Sequence, residues 1–224
     1  MFNFLALQLV NILLIPDGSR RAARKEHIAY ASAYRLAAAK VDMAVKFLLK
    51  EDRVKSVVVY GLSYDNLGCR DCSEINPILE AQKERYLIWL GDPFFLQNRV
   101  KVIFHGDLKM MFEKLPPSYI ETMRELEEKT QDYDWKKLHI LIGYSGRREK
   151  EALDSGKGKD VRPALPSIDL VIRTGGTARL SDALPYQTAY AEFCVIDNLI
   201  TDLGVVDLSK ALDAFGVVVR NLGS

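Results

Sequence analysis

The sequence predicts an α/β domain built on a six-stranded, mostly parallel sheet surrounded by helices. Two observations carry that prediction. Six short apolar runs, several rich in β-branched residues, are separated by longer amphipathic stretches. The chain has 224 residues, enough for one sizeable core, and shows no linker, repeat or low-complexity segment, so residues 1–224 read as one domain. Strand–helix alternation at this spacing implies right-handed βαβ units and parallel pairing.

The first run, Met1 to Ile15, is strongly apolar and resembles a leader. It lacks a basic start and a small-residue cleavage site, and Asn3, Gln8 and Asn11 interrupt it. A buried first strand over Asn11–Ile15 is the better reading. The turn Pro16-Asp17-Gly18-Ser19 follows, and a helix should begin near Arg20. Val41, Ala44, Val45 and Leu48 give it an apolar stripe. Ser56–Tyr60 reads as a buried parallel strand. A helix over about Ser73 to Leu90 leads to a third strand, Val100–His105. Two helical stretches flank Pro116-Pro117. Leu138–Tyr144, Asp169–Ile172 and Phe193–Ile196 complete the strands. Gly146–Pro166, rich in Arg, Lys, Gly and Pro, reads as a mobile loop. Asp207–Phe215 reads as a closing helix with Asp207 as a first-turn acid.

Composition excludes several classes. With 31 basic and 30 acidic residues the net charge is +1, without the basic excess of a general nucleic-acid binder. Three cysteines, Cys69, Cys72 and Cys194, are too few for a disulfide framework and fit a reducing cytosol. Cys69-Arg70-Asp71-Cys72 stands alone as a C-x-x-C pair, without the further ligands that zinc wants. No stretch is long and apolar enough to cross a bilayer, so a cytoplasmic protein that is not integral to a membrane is expected.

Two segments carry chemistry, and both fall where ligands bind in such folds, beyond the carboxyl ends of strands. In Asp17-Gly18-Ser19-Arg20-Arg21, with Arg24 one turn on, a strand ends, glycine turns the chain, serine can cap, and a helix opens among cations. That arrangement suits a phosphate. Asp17 then has no obvious partner except a metal ion bridging it to phosphate oxygens. The alternative reading is an Asp-Gly turn beside a solvated basic helix face. The second segment runs from Asp169 through Arg173, Gly175, Gly176, Arg179 and Ser181 to Glu192. Two arginines and a serine on a glycine-rich turn make a diphosphate clamp. Glu192 is a second carboxylate that could complete a magnesium site with Asp17.

Asp169–Glu192 resembles the C-terminal signature of the cis-prenyltransferases, the undecaprenyl diphosphate synthase family, D-L-x-I-R-T-x-G-E-x-R-x-S-x-F-L-x-W-Q-x-x-Y-x-E. The first segment resembles the family's D-G-N-x-R-W-A. Tyr60-Gly-Leu-Ser63-Tyr-Asp65-Asn66-Leu67 resembles its Y-x-F-S-x-E-N-W. The resemblance implies a hydrophobic tunnel, magnesium dependence, prenyl diphosphate substrates and a homodimer or heteromer. It implies that Asp17 organises the magnesium–diphosphate group and that Arg21 helps to hold the donor diphosphate. Arg173, Arg179 and Ser181 would hold the acceptor, and Glu192 would complete the metal site. Ser63, Asp65 and Asn66 would lie near the reacting carbons. On this reading Arg173→Ala should mainly raise the acceptor's apparent KM.

The departures from the pattern cluster at functional positions. The motif asparagine is Ser19, the tryptophan after Arg21 is Ala22, and Tyr30 and Tyr34 stand where an arginine and a histidine are expected. The middle glutamate is Asp65, the tryptophan after Asn66 is Leu67, and the glutamate after Gly176 is Thr177. The C-terminal R-x-G reads Arg220-Asn221-Leu222-Gly223, keeping Gly223 for a diphosphate. Altered pockets beside intact diphosphate ligands predict changed substrate use. The expected reaction is irregular joining of two dimethylallyl diphosphates into a branched or cyclised C10 diphosphate, as in the lavandulyl and cyclolavandulyl branch. The alternatives are a head-to-tail synthase using isopentenyl diphosphate, and a non-catalytic partner subunit.

Overall fold

The computed structural model describes residues 9–69, 72–156 and 165–217. Arg220–Gly223 lie outside them. In chain order, β1 (Val10–Ile15) is followed by α1 (Ser19–Lys25) and α2 (Tyr30–Lys50), then β2 (Val54–Ser63), α3 (Tyr64–Cys69), α4 (Cys72–Gly91) and α5 (Pro93–Gln97). Next come β3 (Val100–His105), α6 (Leu108–Lys114), α7 (Pro117–Thr130), β4 (Lys136–Tyr144) and α8 (Gly146–Asp154). The chain continues through β5 (Leu170–Thr174), β6 (Glu192–Ile196), a 3-10 turn at Ile200–Asp202 and α9 (Val205–Gly216).

The strands form one sheet in the order β3-β4-β2-β1-β5-β6, and every pairing is parallel. Successive side chains of a strand point to opposite faces. Ile12 and Leu14 of β1 therefore enter the larger core, with Leu48, Phe104 and Tyr119. Leu13 and Ile15 enter a second core with Tyr60, Tyr144, Val171 and Leu184. Both faces are covered, which is why the central strands are apolar throughout rather than alternating.

Three local expectations change. The helix expected to start near Arg20 is two helices, because His27 turns left-handed at φ 52° and ends the first. Ser19 does not cap: Gly18 holds the N-cap at φ 117°, and Ser19 is the first helical residue. A β-carbon on Gly18 would sit 2.9 Å from Leu199 Cδ2, so space as well as φ calls for glycine. The segment expected to be a mobile loop after Gly146 begins instead as α8. Ser145 Oγ accepts from Arg148 N, and the run Arg-Arg-Glu-Lys-Glu-Ala-Leu is made of good helix formers.

One buried polar pair has a consequence for stability. His105 Nε2 and His139 Nδ1 lie 2.9 Å apart between β3 and β4, and His139 Nε2 is buried without a hydrogen-bond partner. Burial, with Lys137 nearby, lowers the His139 pKa to about 4. The folded state thus holds the ring neutral, while the unfolded chain protonates it near its ordinary value. Stability is complete above about pH 6.5 and falls as pH drops towards 4, by about 3 kcal/mol. Urea unfolding at pH 7 and pH 4.5 measures it. A His139→Phe variant should flatten the slope, and an unchanged slope would assign the acid sensitivity elsewhere.

Candidate active site

The site forms where β1 and β5 end side by side. Ile15 pairs in register with Arg173, and the chain leaves β1 towards β2 on one side and its neighbour β5 towards β6 on the other. Such a switch point opens a crevice beyond the strand ends. Thr174 Oγ1 locks the two loops together. It accepts from Asp17 N and donates to Asp17 O, each at 2.8 Å. Gly175 then turns at φ 86°. A β-carbon there would lie 2.2 Å from Arg21 Nη2, so glycine leaves the space that this guanidinium occupies. Arg21 Nη1 donates to Gly175 O at 2.8 Å.

Arg173 is the hub. It is 3% exposed. Its Nη2 donates to Asp17 Oδ2 at 2.6 Å, and its Nη1 donates to Ser181 Oγ at 2.9 Å and to Arg179 O at 2.5 Å. Its Nε is buried and unpartnered. Asp17 Oδ1 lies 3.4 Å from Arg21 Nη2. Asp17 therefore has two guanidinium partners, which corrects the expectation that only a metal ion could supply one. Its side chain is part-exposed, so lone pairs remain available at the cavity.

On the β2 side, Ser63 Oγ accepts from Asn66 N at 3.1 Å and so shapes the start of α3. Asp65, in the first turn of α3, pairs with Arg147 Nη2 at 3.0 Å. Arg147 N also donates to Asp182 Oδ1, and Ser145 Oγ donates to Asp182 Oδ2 at 2.5 Å. Ser181 and Asp182 both turn left-handed, at φ 54° and 66°, and these bonds hold the turn that presents Ser181 to Arg173. Tyr60 Oη donates to Ser181 O at 3.1 Å. Burial first, and Asp182 next, push the Tyr60 phenol well above its ordinary pKa, so it keeps its proton. Arg147 and Asp182 escaped the sequence reading. Arg147 had a usable signal, since it follows the carboxyl end of β4, where the same rule places ligands.

These groups open on one cavity of about 930 Å³. Asp17, Gly18, Ser19, Arg20, Arg21 and Arg24 line one side of its mouth. Ser63, Asp65 and Asn66 line another, and Arg173, Arg179 and Ser181 a third. Ala37, Val41, Val59, Leu62, Ile78 and Ile140 line the interior. Ala22 and Leu67, which stand for motif tryptophans, are buried and do not line it.

The ends of the Asp169–Glu192 stretch lie elsewhere. Glu192 opens β6 opposite Leu170, three register positions before Arg173. It therefore lies at least roughly 10 Å from Asp17 along the strand axis. Within one chain it does not join Asp17. Asp169 is structural: its Oδ2 accepts from Asn11 N at 2.8 Å. Among the described residues no group of three or more His, Cys, Asp or Glu could hold a metal ion. Asp17, beside Arg21 and Arg173, fits a magnesium ion bound by one carboxylate and substrate phosphates.

The family model for undecaprenyl diphosphate synthase matches residues 15–223. The chain belongs to this cis-prenyltransferase family. It is 30% identical to the tritrans,polycis-undecaprenyl-diphosphate synthase (geranylgeranyl-diphosphate specific) of Pyrobaculum aerophilum, covering 95% of each chain. It is 31% identical to the enzyme of the same name from Sulfurisphaera tokodaii, over 94% of this chain and 86% of that one. The lavandulyl diphosphate synthase of Lavandula x intermedia, solved with dimethylallyl diphosphate, superposes with a TM-score of 0.81 at 18% identity, covering 97% and 99%. That likeness concerns the fold. This cis-prenyltransferase thus keeps the family's all-parallel sheet, and Asp17, Arg173 and Arg179 line one cavity. No helix among its described residues is long and apolar enough to cross a membrane.

Proposed function

We propose that this cis-prenyltransferase joins two dimethylallyl diphosphates, with Mg²⁺, into a branched or cyclised C10 diphosphate. One observation carries the reading. A single cavity of about 930 Å³ is lined by two sets of cations, Arg20, Arg21 and Arg24 on α1 and Arg173 and Arg179 at and after the end of β5. Two diphosphates and their chains share a volume at the upper end of the roughly 300–1,000 Å³ usual for small-ligand sites.

Arg21 and its neighbours hold the donor diphosphate, and Arg179 and Ser181, set by Arg173, hold the acceptor. Asp17 would hold the magnesium ion, which when bound neutralises charge on the diphosphate. As the donor C1–O bond breaks, its electron pair leaves with the diphosphate, and the preset guanidinium groups stabilise that charge without rearranging. C2 of the acceptor alkene bonds to C1, and the resulting tertiary cation loses a proton. In this proposal Asp65, paired with Arg147, takes that proton. The homodimer belongs to the same proposal. Phe193 and Val195 are exposed on the edge strand β6, which supports it, and sedimentation velocity tests it.

A second reading is favoured by the names of the 30–31% identical relatives: head-to-tail elongation of an allylic primer with isopentenyl diphosphate. Incubation with Mg²⁺ and dimethylallyl diphosphate alone, followed by mass spectrometry, separates the two. The expected result is a C10 diphosphate. Product only after isopentenyl diphosphate is added would sink the irregular reading.

A further inference from the structure

α2 and α4 both line the cavity, and their lining faces are not wholly apolar. The face of α4 that lines it carries Ile78, Ala81, Gln82, Arg85, Tyr86 and Trp89, a helical stripe that turns polar midway. The facing stripe of α2 carries Tyr34, Ala37, Ala38 and Val41. The two helices run parallel, because cross-links join them at rising numbers: Arg35 to Glu84, Asp42 to Trp89, and Lys46 to Asp92. Asp42 stands directly after Val41. It accepts from Trp89 Nε1 at 2.7 Å, pairs with Lys46 at 2.9 Å, and lies 3.4 Å from Arg85 Nη1. Arg85 Nε is buried and has no hydrogen-bond partner. A guanidinium with an incompletely met charge therefore stands in the wall of a prenyl cavity.

We propose that Arg85, anchored by Asp42, is the chain-length stop of this cis-prenyltransferase. An alkyl chain passing it would strip the remaining water from a guanidinium that already lacks one partner, and would offer no acceptor in return. The geometry sets the length allowed. Ile78 to Arg85 along the lining face of α4 spans about 10 Å. An isoprene unit, with carbon–carbon bonds of about 1.5 Å in a zigzag, advances about 5 Å. About two units, a C10 chain, fit before the stop. The inference rests on the proposal above that this cavity takes short prenyl chains, and adds the residue that ends them.

The test is calorimetric titration with Mg²⁺ and the unreactive thiolodiphosphates of dimethylallyl, geranyl, farnesyl and geranylgeranyl. In an apolar tube each buried methylene tightens binding about fourfold. In the wild type, affinity should rise at least about tenfold from the C5 to the C10 analogue and then change by no more than about twofold at C15. In Arg85→Met, an apolar side chain of similar reach, the rise should continue, with C15 at least about tenfold tighter than C10. A wild-type affinity that climbs steadily through C15 and C20 overturns the proposal without any variant. A break at C10 that persists in a folded Arg85→Met overturns the assignment to this residue. Failure to bind any of the analogues would remove the small-chain reading and the inference together. A C10 break in an enzyme that reacts only with isopentenyl diphosphate would keep the inference and remove irregular joining.

Discussion

Replacing Asp17 by alanine is expected to lower kcat by at least about 10³-fold, roughly 4 kcal/mol of transition-state stabilisation. Asp17 is the carboxylate at the clamp, and both its oxygens face guanidinium groups, Arg173 at 2.6 Å and Arg21 at 3.4 Å. Without it the Arg173 charge is left buried and uncompensated, which typically costs about 3–5 kcal/mol of stability. Asp17→Asn separates the two effects, because it retains an acceptor for Arg173 and should recover part of the melting temperature. It should not recover turnover if the charge is what organises the diphosphate. Steady-state kinetics and thermal melts on both variants make the check, and near-normal turnover in either would remove Asp17 from the mechanism.

Arg173→Ala should be nearly as damaging, and in a different way from what its sequence context implies. Read as a clamp residue, its loss should raise KM for the acceptor. Its burial and its bonds to Asp17, Ser181 and Arg179 make it the piece that sets the geometry of other groups. Both kcat and KM should therefore worsen, with kcat/KM falling about 10²–10³-fold and stability by about 3 kcal/mol. Arg173→Lys should recover charge and some stability. An ammonium cannot span partners that a planar fork reaches from two nitrogens, so turnover should stay low. A pure KM effect in Arg173→Ala would show that the hub is a simple ligand after all.

Asp17, Arg21, Arg173, Arg179 and Ser181 stand out in the sequence because they lie at or after the ends of two apolar runs, where a parallel sheet binds its ligand. Within one chain Glu192 lies apart from Asp17. It belongs to the same motif as Arg173, yet β6 starts there, so the pleat and register carry it to the other end of the sheet. Arg85 was invisible as a site residue. On the sequence it is one more cation in a charged helix, Gln82-Lys83-Glu84-Arg85, and nothing local distinguishes it from a solvated face.

Strand–helix alternation, the apolar runs and the glycine-rich arginine turn determined by themselves the parallel α/β class and the family. These depend on local periodicity and on chemistry carried within a few residues. Only the tertiary structure decided that Asp17 is held by two arginines, that α8 supplies Arg147 to Asp65, and that Arg85 stands beside Asp42 in the cavity wall. Each of those contacts joins residues at least 43 apart or, for Asp17 with Arg21, depends on the turn at Gly175. The packing angle of α2 against α4 and the register of β5 beside β1 bring them together, and a sequence pattern encodes neither.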